Sequence, residues 1–389
     1  MTQTDNLSIQ DLMTALNVNF ERDHQQAPSE SEFPYGNRVA LIAPPAAGKT
    51  TTVAGLFTRA NKKVKETLHT DTPFSCRMLE HGSNIHQDVA DLSDGIFPAK
   101  TQTYLGFRSS PGLLLEQKKF MAASIPFTGR FFGRDNLRPR KQIWHKMLQL
   151  PICDLPGETL SQVMWQVRAK TGPQQKIVAD TIGNAVTEMR NCQAFIFILK
   201  ASLAKGLGLP IETERDLTVS RDPDVNLVRM LEDIANYKSK HGQQIKAAYV
   251  VISAWDKLAP KAEQIGFDLF DQNLVKRQSD LENFVGQCFP QFFGTLHSSG
   301  IKLINYYPTF FQTETNAKGE ELLFEDTIEY RLPDGSIGVK NVQRPHIMTK
   351  DLYDPGARNI WENVRAISYS EQSYDALLND VMKLAVTAK

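Results

Sequence analysis

Short runs of consecutive apolar residues recur along this chain, and between them lie stretches that carry apolar residues at helical spacing. Apolar runs without polar alternation are typical of strands that are buried on both faces of a parallel sheet. The runs predict strands at 38–43, 148–154, 194–199, 247–252 and 301–307. Helical spacing follows the first strand to about residue 66 and returns at 224–237, within 267–289 and at 370–388. This alternation predicts an α/β fold built on a doubly wound, mostly parallel sheet.

The pattern divides the chain into a short N-terminal part and one domain. Residues 1–35 hold one stretch of helical spacing at 7–20, followed by a polar linker. We expect that helix to pack on the domain or on a partner. Residues 36–389 form a single predicted domain of the P-loop type described below.

Two segments of this domain are predicted to be insertions. The first, at about 67–148, shows no strong periodicity, but it is too long for a structureless loop, so we expect it to contain its own strands or helices. The second, at about 312–350, predicts a β-hairpin with strands at 328–332 and 336–342.

Composition narrows the classes of function. Lys plus Arg and Asp plus Glu number 44 each, so the formal net charge is zero and nucleic acid is not expected as the main partner. Hydrophobic residues make up 41% of the chain, enough for a core, yet no apolar run reaches membrane-spanning length. The 4 cysteines lie far apart without a C-x-x-C pair, which favours reduced thiols. We therefore predict a cytoplasmic protein with no membrane partner.

The first predicted strand leads through a loop of small residues into Gly-Lys-Thr, where a predicted helix begins. This layout matches a phosphate-binding P-loop, Ala/Gly-x-x-x-x-Gly-Lys-Ser/Thr, in which free N–H groups at the helix N-terminus face a polyphosphate. Gly48 allows close approach, Lys49 reaches the β- and γ-phosphates, and Thr50 coordinates Mg²⁺. The predicted nucleotide contacts in this loop are Ala43, Pro44, Pro45, Ala46, Ala47, Gly48, Lys49, Thr50 and Thr51.

Two acidic motifs follow other predicted strands. Asp154 and Gly157 form a D-x-x-G motif, in which the carboxylate would hold Mg²⁺ through a water and the glycine N–H would approach a γ-phosphate. The strand at 247–252 is followed by Ser-Ala-Trp-Asp-Lys. The carboxylate of Asp256 is suited to accept hydrogen bonds from guanine N1–H and the 2-amino group, a donor pair that adenine lacks. The alternative is an acid that only caps the following turn.

In this order, strand, P-loop, D-x-x-G and a later acid after a buried strand resemble the Ras-like and translation-factor-like P-loop GTPases. The likeness covers most of residues 36–310 and the last helix. It implies Mg²⁺ and GTP or GDP as cofactors, Lys49 as the P-loop lysine, and Asp154 and Gly157 as the second switch. Asp256 corresponds to the guanine-reading aspartate of that family.

A narrower resemblance rests on the long gaps between motifs and on residues 94–101. That segment is similar to the Gly-x-Pro-x-x-Thr stretch that precedes the switch threonine in GTPase-like proteins of bacterial conflict and defence systems, the double-GTPase families. The resemblance implies that Thr101 contacts Mg²⁺ and the γ-phosphate as part of the first switch, with Thr103 as the alternative. It also implies a bacterial protein.

The chain departs from the family pattern at two places. The base motif Asn/Thr-Lys-x-Asp is here Ser-Ala-Trp-Asp, so its lysine is missing; Trp255 is expected to pack near the base instead. The candidate contacts in this loop are Ser253, Trp255, Asp256 and Lys257. Glu158 stands where many members have a water-orienting glutamine. A γ-phosphate repels its carboxylate, and it becomes a base only with a raised pKa, so we expect slow hydrolysis.

These motifs favour a nucleotide-dependent switch that hydrolyses GTP and controls a protein partner through its switch loops and insertions. An ATP-using ATPase or kinase, which makes no use of Asp256, is one alternative, and a pseudo-GTPase scaffold with little turnover is another. The oligomeric state stays open, a homo-oligomer included. Residues 129–141 are basic with interleaved aromatics, which fits an arginine delivered to the phosphates, a grip on a partner or RNA, or a solvated loop.

Overall fold

The computed structural model describes most of the predicted domain. The described residues are 38–44, 47–78, 91–92, 109–122, 140–153, 192–208, 223–271, 273–311, 313–314, 316, 321–331, 337–347 and 360–387. The strands are β1 Val39–Ile42, β2 Phe74–Met78, β3 Ser109–Ala122, β4 Arg140–Cys153, β5 Ala194–Lys200, β6 Ala247–Ser253, β7 Leu303–Thr309, β8 Leu323–Arg331, β9 Ile337–Pro345 and β10 Val386–Thr387. The helices are α1 Lys49–Thr67, α2 Pro223–Lys240, α3 Ala262–Ile265, α4 Leu274–Cys288, α5 Pro290–Ser298 and α6 Ile360–Met382.

The central sheet is parallel, in the order β1-β5-β6-β7. Ile42 lies opposite Phe197, and Phe197 lies opposite Val250, so neighbouring strands run in register toward one edge. Every residue of β6 is buried, as expected for a strand covered on both faces. The prediction of a mixed α/β fold with a mostly parallel central sheet is therefore confirmed.

Helices cover both faces of this sheet. On one face, α2, α4 and α5 bury apolar residues such as Leu231, Leu281 and Phe292 against the strands. On the other face, α1 and α6 contribute residues such as Leu56 and Leu377. The sheet is the middle layer of three, and both of its faces are buried by helices.

A second sheet has the order β10-β4-β3-β2, and its pairs are antiparallel. It adjoins the central sheet, because Arg38 and Gln149 form a parallel bridge just before β1. The segment predicted as a core strand at 148–154 is the last part of β4, whose described residues begin at Arg140 and end at Cys153. The expected strands in the 67–148 segment are present as β2, β3 and most of β4.

Several boundaries differ from prediction. The C-terminal helix α6 begins at Ile360 and ends at Met382, so the prediction of 370–388 was wrong at both ends. Beyond that helix Val386 and Thr387 pair with Met147 and Lys146 as β10, a tertiary contact that local helical spacing does not reveal. The hairpin is confirmed but longer, because β8 and β9 pair from Leu323–Pro345 to Arg331–Ile337. No helix among the described residues is long and apolar enough to cross a membrane.

Helix α6 lies across α1 and β7 and fixes both. Gly55 permits the contact with α1: a Cβ at this position would lie 2.6 Å from Cζ of Tyr374. Arg59 then binds Asp375 through Nε at 2.9 Å and Nη2 at 2.5 Å. At the other end of the helix the phenol of Tyr307 donates to Asp380 at 2.6 Å. Helix α1 is thereby held by α6, its neighbour on the same face of the central sheet.

Candidate functional site

The predicted phosphate loop joins β1 to α1. Ala43 and Ala47 are buried at either side of it, and the N–H of Ala47 donates to the carbonyl of Pro44 at 3.3 Å. Pro45 and Ala46 lie outside the described residues. The loop therefore connects the buried end of β1 directly to the first turn of α1.

Gly48 is the residue that turns the loop into the helix. Its φ is 83°, in the left-handed region where an L side chain costs about 1 kcal/mol or more. Helix α1 begins at the next residue, Lys49, and no side chain caps it in the part of the chain that the structure describes. The first N–H groups of α1 and the positive end of its dipole are thus presented at this turn. Thr51 is half-buried in that turn; the side chain of Thr50 is not among those described.

Ser253 connects this loop to the end of β6. Its side chain is buried, and its Oγ lies 2.6 Å from the carbonyl oxygen of Ala47 and 3.1 Å from that of Leu199. One hydroxyl proton serves two carbonyl acceptors, so the oxygen bridges the loop, β5 and β6. A Cβ on Gly48 would lie 3.4 Å from this same side chain. Ser253 is consequently a brace of the loop, with its hydroxyl turned toward backbone.

The predicted base-recognition loop continues from Ser253. Ala254 has φ 53° and is the one non-glycine residue with positive φ among those described. A 3-10 helix, Trp255–Lys261, follows it. Backbone strain of this kind costs on the order of 1 kcal/mol and is common at functional sites. The two residues after this strained turn differ in burial, since Trp255 is buried and Asp256 is half-buried.

Trp255 points into the core and does not face the loop surface. It is fully buried, its Nε1 donates to the carbonyl of Leu269 at 2.8 Å, and its ring meets Phe284 edge-on with centroids 5.2 Å apart. The expectation that Trp255 packs beside a base is therefore wrong, because no face of the ring is exposed. Its role is to anchor the loop that carries Asp256.

The next two residues lie nearer the surface. Asp256 is half-buried at the start of the 3-10 helix. Lys257 extends to Glu321, with Nζ 2.6 Å from Oε1, and that same oxygen accepts a hydrogen bond from Thr313 at 3.1 Å. Partial burial acts to raise the pKa of Glu321, but its hydrogen bond and charge interaction with Lys257 outweigh it and lower the pKa. Lys257 thus ties this loop to the residues that precede β8.

The predicted switch residues fall outside the described residues. They are Thr101, Asp154, Gly157 and Glu158. The structure describes the chain up to Cys153, where β4 ends, and it describes Asp91 and Leu92 ahead of the first-switch segment. Within the described ranges no group of three or more His, Cys, Asp or Glu side chains could hold a metal ion.

Asp91 forms a buried ion pair with the hairpin. The guanidinium of Arg344 on β9 contacts both Asp91 and Asp326, and Arg344 and Asp91 are almost fully buried. Its Cζ lies 5.7 Å from the ring centroid of Phe324. A buried arginine with carboxylates on two sides is a compensated charge. The hairpin is therefore attached to the segment that leads toward Thr101.

Sequence reasoning missed three contacts that shape the site: the Ser253 brace, the Lys257–Glu321 pair and the hydrogen bonds of the Tyr374 phenol with Thr52 and Thr309. Burial raises the pKa of that phenol, which stays neutral. Only the brace left a signal in the sequence, a hydroxyl residue at the position where the P-loop GTPases that the sequence resembles carry Asn or Thr. The other two join residues too far apart in the chain for local patterns to reveal.

Comparisons with known proteins add little to this geometry. No protein family matches the chain, and no curated protein matches it. Among solved structures the chain is similar to the signal recognition particle receptor SRb-GTP/SRX complex from Chaetomium thermophilum, at 14% identity and a TM-score of 0.26, over 72% of this chain and 92% of that one. A TM-score this low does not establish a shared fold.

Proposed function

We propose that this protein is a Mg²⁺-dependent guanine-nucleotide switch of the P-loop GTPase type, which hydrolyses GTP slowly and controls a protein partner. The observation that carries the proposal is the junction of β1 and α1. Gly48 adopts a left-handed turn, α1 begins uncapped at Lys49, and Ser253 holds the loop from behind. A small-residue turn, exposed N–H groups and a lysine are the parts that bind a polyphosphate.

The register of the strands supports Asp154 as a magnesium-holding acid. The Arg38–Gln149 bridge is parallel, and β1 and β4 each end four residues beyond it, at Ile42 and Cys153. If the two strands keep this register, Asp154 would follow its strand next to the start of the phosphate loop. A carboxylate at that edge is placed for a metal ion bound with the phosphates. In the proposal Thr50, Asp154 and Thr101 hold Mg²⁺, which neutralises charge on the β- and γ-phosphates when bound.

Recognition of guanine is assigned to the loop after β6. Ser253 ties the end of β6 to the phosphate loop, and Asp256 follows it three residues later in the same loop, which supports a contact of Asp256 with the same nucleotide. The proposed nucleotide contacts are the backbone of the phosphate loop, Lys49 and Asp256. Trp255 is removed from the set by its burial, and Ser253 acts through the loop that it braces.

The decisive experiment compares GTP with ATP by calorimetry on the full chain in Mg²⁺ buffer. We expect tighter binding of GTP, and we expect Asp256→Asn to shift preference toward a xanthine nucleotide, because the amide no longer matches the guanine donor pair. Asp233→Asn on α2 is the matched control, since Asp233 is also half-buried and lies on another element. Tighter binding of ATP by the unmodified chain would remove the guanine assignment in favour of an ATPase or kinase.

Turnover is tested separately. Phosphate release from GTP is measured for the full chain and for Lys49→Ala, which removes the charge that stabilises the transferring phosphoryl group. We expect a slow rate that falls further in the variant. Equal rates in the two proteins would indicate a scaffold that binds nucleotide without turning it over.

A further inference from the structure

The far end of the β3–β4 ribbon carries an exposed face that no described element covers. Lys119 pairs with Trp144, Gln117 with Lys146, and Leu115 with Leu148, so these pairs share one side of the ribbon. Nearer the central sheet that side is core, because Leu115 and Leu148 are fully buried against residues of α1 and α6. The core-facing side of the ribbon therefore continues past the layer of helices that covers it.

This ribbon face, defined by Lys119, Met121, Ile143, Trp144 and Lys146, is apolar and basic. Met121 is 57% exposed and Ile143, at a bulge opposite Lys119, is 50% exposed. The Nζ of Lys146 lies 5.2 Å from the ring centroid of Trp144. Exposed apolar side chains beside ammonium groups favour an acidic, amphipathic occupant.

Basic residues predominate within the two strand segments at this end of the ribbon. Residues 117–122 and 140–147 contain no acid, and their basic residues are Lys118, Lys119, Arg140, Lys141 and Lys146. The rest of the chain carries a compensating excess of acids, since the formal net charge of the whole chain is zero. Acids outnumber bases in the N-terminal segment that precedes β1. Among residues 1–37 the one Lys or Arg is Arg22, whereas the acids are Asp5, Asp11, Glu21, Asp23, Glu30 and Glu32.

The same N-terminal segment has an apolar stripe. Ile9, Leu12, Met13, Leu16 and Phe20 recur at the spacing of one helix face. The apolar stripe and the neighbouring acids of this segment are complementary to the exposed apolar and basic side chains of the ribbon face. The sequence alone left open whether that helix packs on the domain or on a partner.

The direction of β1 brings this segment to the ribbon face. Arg38 lies opposite Gln149 in a parallel bridge, so the chain before Arg38 approaches from the side on which Trp144 lies. Trp144 precedes Gln149 by a distance of roughly 17 Å along β4. The polar linker at 21–36 is long enough to span that distance. Because β10 already pairs with β4 at Lys146, that edge of β4 is not open to pairing by the linker.

We propose that the amphipathic stretch at 7–20, which carries Asp11 and is flanked by Asp5, Glu21 and Asp23, docks on the ribbon face of its own chain. The apolar stripe covers Met121, Ile143 and Trp144, and the acids lie beside Lys119 and Lys146. This proposal is independent of the nucleotide site, which lies at the opposite end of β4.

Disulfide trapping in the full chain tests the contact. Met13→Cys is combined with Ile143→Cys, and the matched control combines Met13→Cys with Val339→Cys, an exposed apolar position on β9. We expect intramolecular bonding of the first pair at least about ten-fold faster than of the second, because docking raises the local concentration of one thiol at the other. Adding Lys119→Glu and Lys146→Glu is expected to abolish this difference.

Every other outcome overturns the proposal. Equal rates for the two pairs would show that the segment does not dock on the ribbon face. A bond that forms only between two chains, and fades on dilution, would assign the face to a second copy. Hydrogen exchange supplies a measurement without cysteines: residues 9–20 should be protected in the full chain and lose that protection in the Lys119→Glu, Lys146→Glu variant. Protection of the ribbon face that appears only with anionic lipid vesicles would assign the face to a membrane surface.

Discussion

Removing the hydroxyl of Ser253 is the sharpest test of how the nucleotide loop is held. In Ser253→Ala the carbonyls of Ala47 and Leu199 lose a buried donor at 2.6 Å and 3.1 Å. One net hydrogen bond contributes about 1 kcal/mol, and an unpaired buried carbonyl adds to the loss, so unfolding free energy should fall by roughly 1–2 kcal/mol. If the brace holds the loop in its binding form, GTP affinity should fall by a similar free energy, about 5- to 30-fold.

Ser370 provides the matched control. It is a buried serine on α6 whose Oγ bonds the backbone of Phe310 and not that of the phosphate loop: it donates to the carbonyl at 2.6 Å and accepts from the N–H at 3.3 Å. Ser370→Ala should lose comparable stability in urea unfolding and keep its GTP affinity in calorimetry. Equal affinity losses in the two variants, or unchanged affinity in Ser253→Ala despite lower stability, would refute the role of Ser253 as a brace.

Three further predictions concern the fold. Gly55→Ala should lower the free energy of unfolding by about 1–3 kcal/mol, because its Cβ would lie 2.6 Å from the ring of Tyr374; an unchanged urea midpoint would contradict this close contact. Asp224→Ala should cost about 3 kcal/mol in urea unfolding, since this fully buried carboxylate accepts the N–H of Phe292 at 2.7 Å where α5 begins; a loss near zero would exclude that cap. Burial raises the pKa of Cys288 to about 11, so its thiol should stay protonated at pH 8 and react with a thiol reagent only on unfolding; rapid labelling of the native chain, located by peptide mass spectrometry, would show otherwise.

The central strands were predictable because their sequence leaves few choices. The runs at 194–199 and 247–252 are apolar at every position, a pattern that fits a strand covered on both faces and little else. β4 was harder, because only its last residues are mostly apolar, and its first half is a largely polar strand of an antiparallel ribbon. Its true length depends on pairing with β3, which local sequence does not encode. β10 depends in the same way on an edge of β4.

The site was predictable where chemistry is local and not where it depends on packing. Gly48 and Lys49 stand at a strand-to-helix junction, so their motif already implied their geometry. Trp255 follows a strand in a polar loop, which suggested exposure, yet a strained turn at Ala254 directs the ring into the core. Ser253 was predicted to touch nucleotide, whereas its hydroxyl bonds backbone carbonyls of two other segments.

The hairpin of β8 and β9 is tied to the surroundings of the proposed nucleotide site by two ion pairs of unequal strength. The Lys257–Glu321 pair is about one-third exposed at both side chains, and exposed pairs contribute roughly 0–1 kcal/mol. The contact of Arg344 with Asp91 is buried, so breaking it would leave an uncompensated charge in the core, at a cost of about 3–5 kcal/mol. The hairpin is therefore coupled more strongly to the segment at Asp91 than to the loop at Lys257. Under the proposed function, a rearrangement of the first switch would move the hairpin through the contact of Arg344 with Asp91. A change at the base-recognition loop would affect the hairpin only weakly, through Lys257 and Glu321.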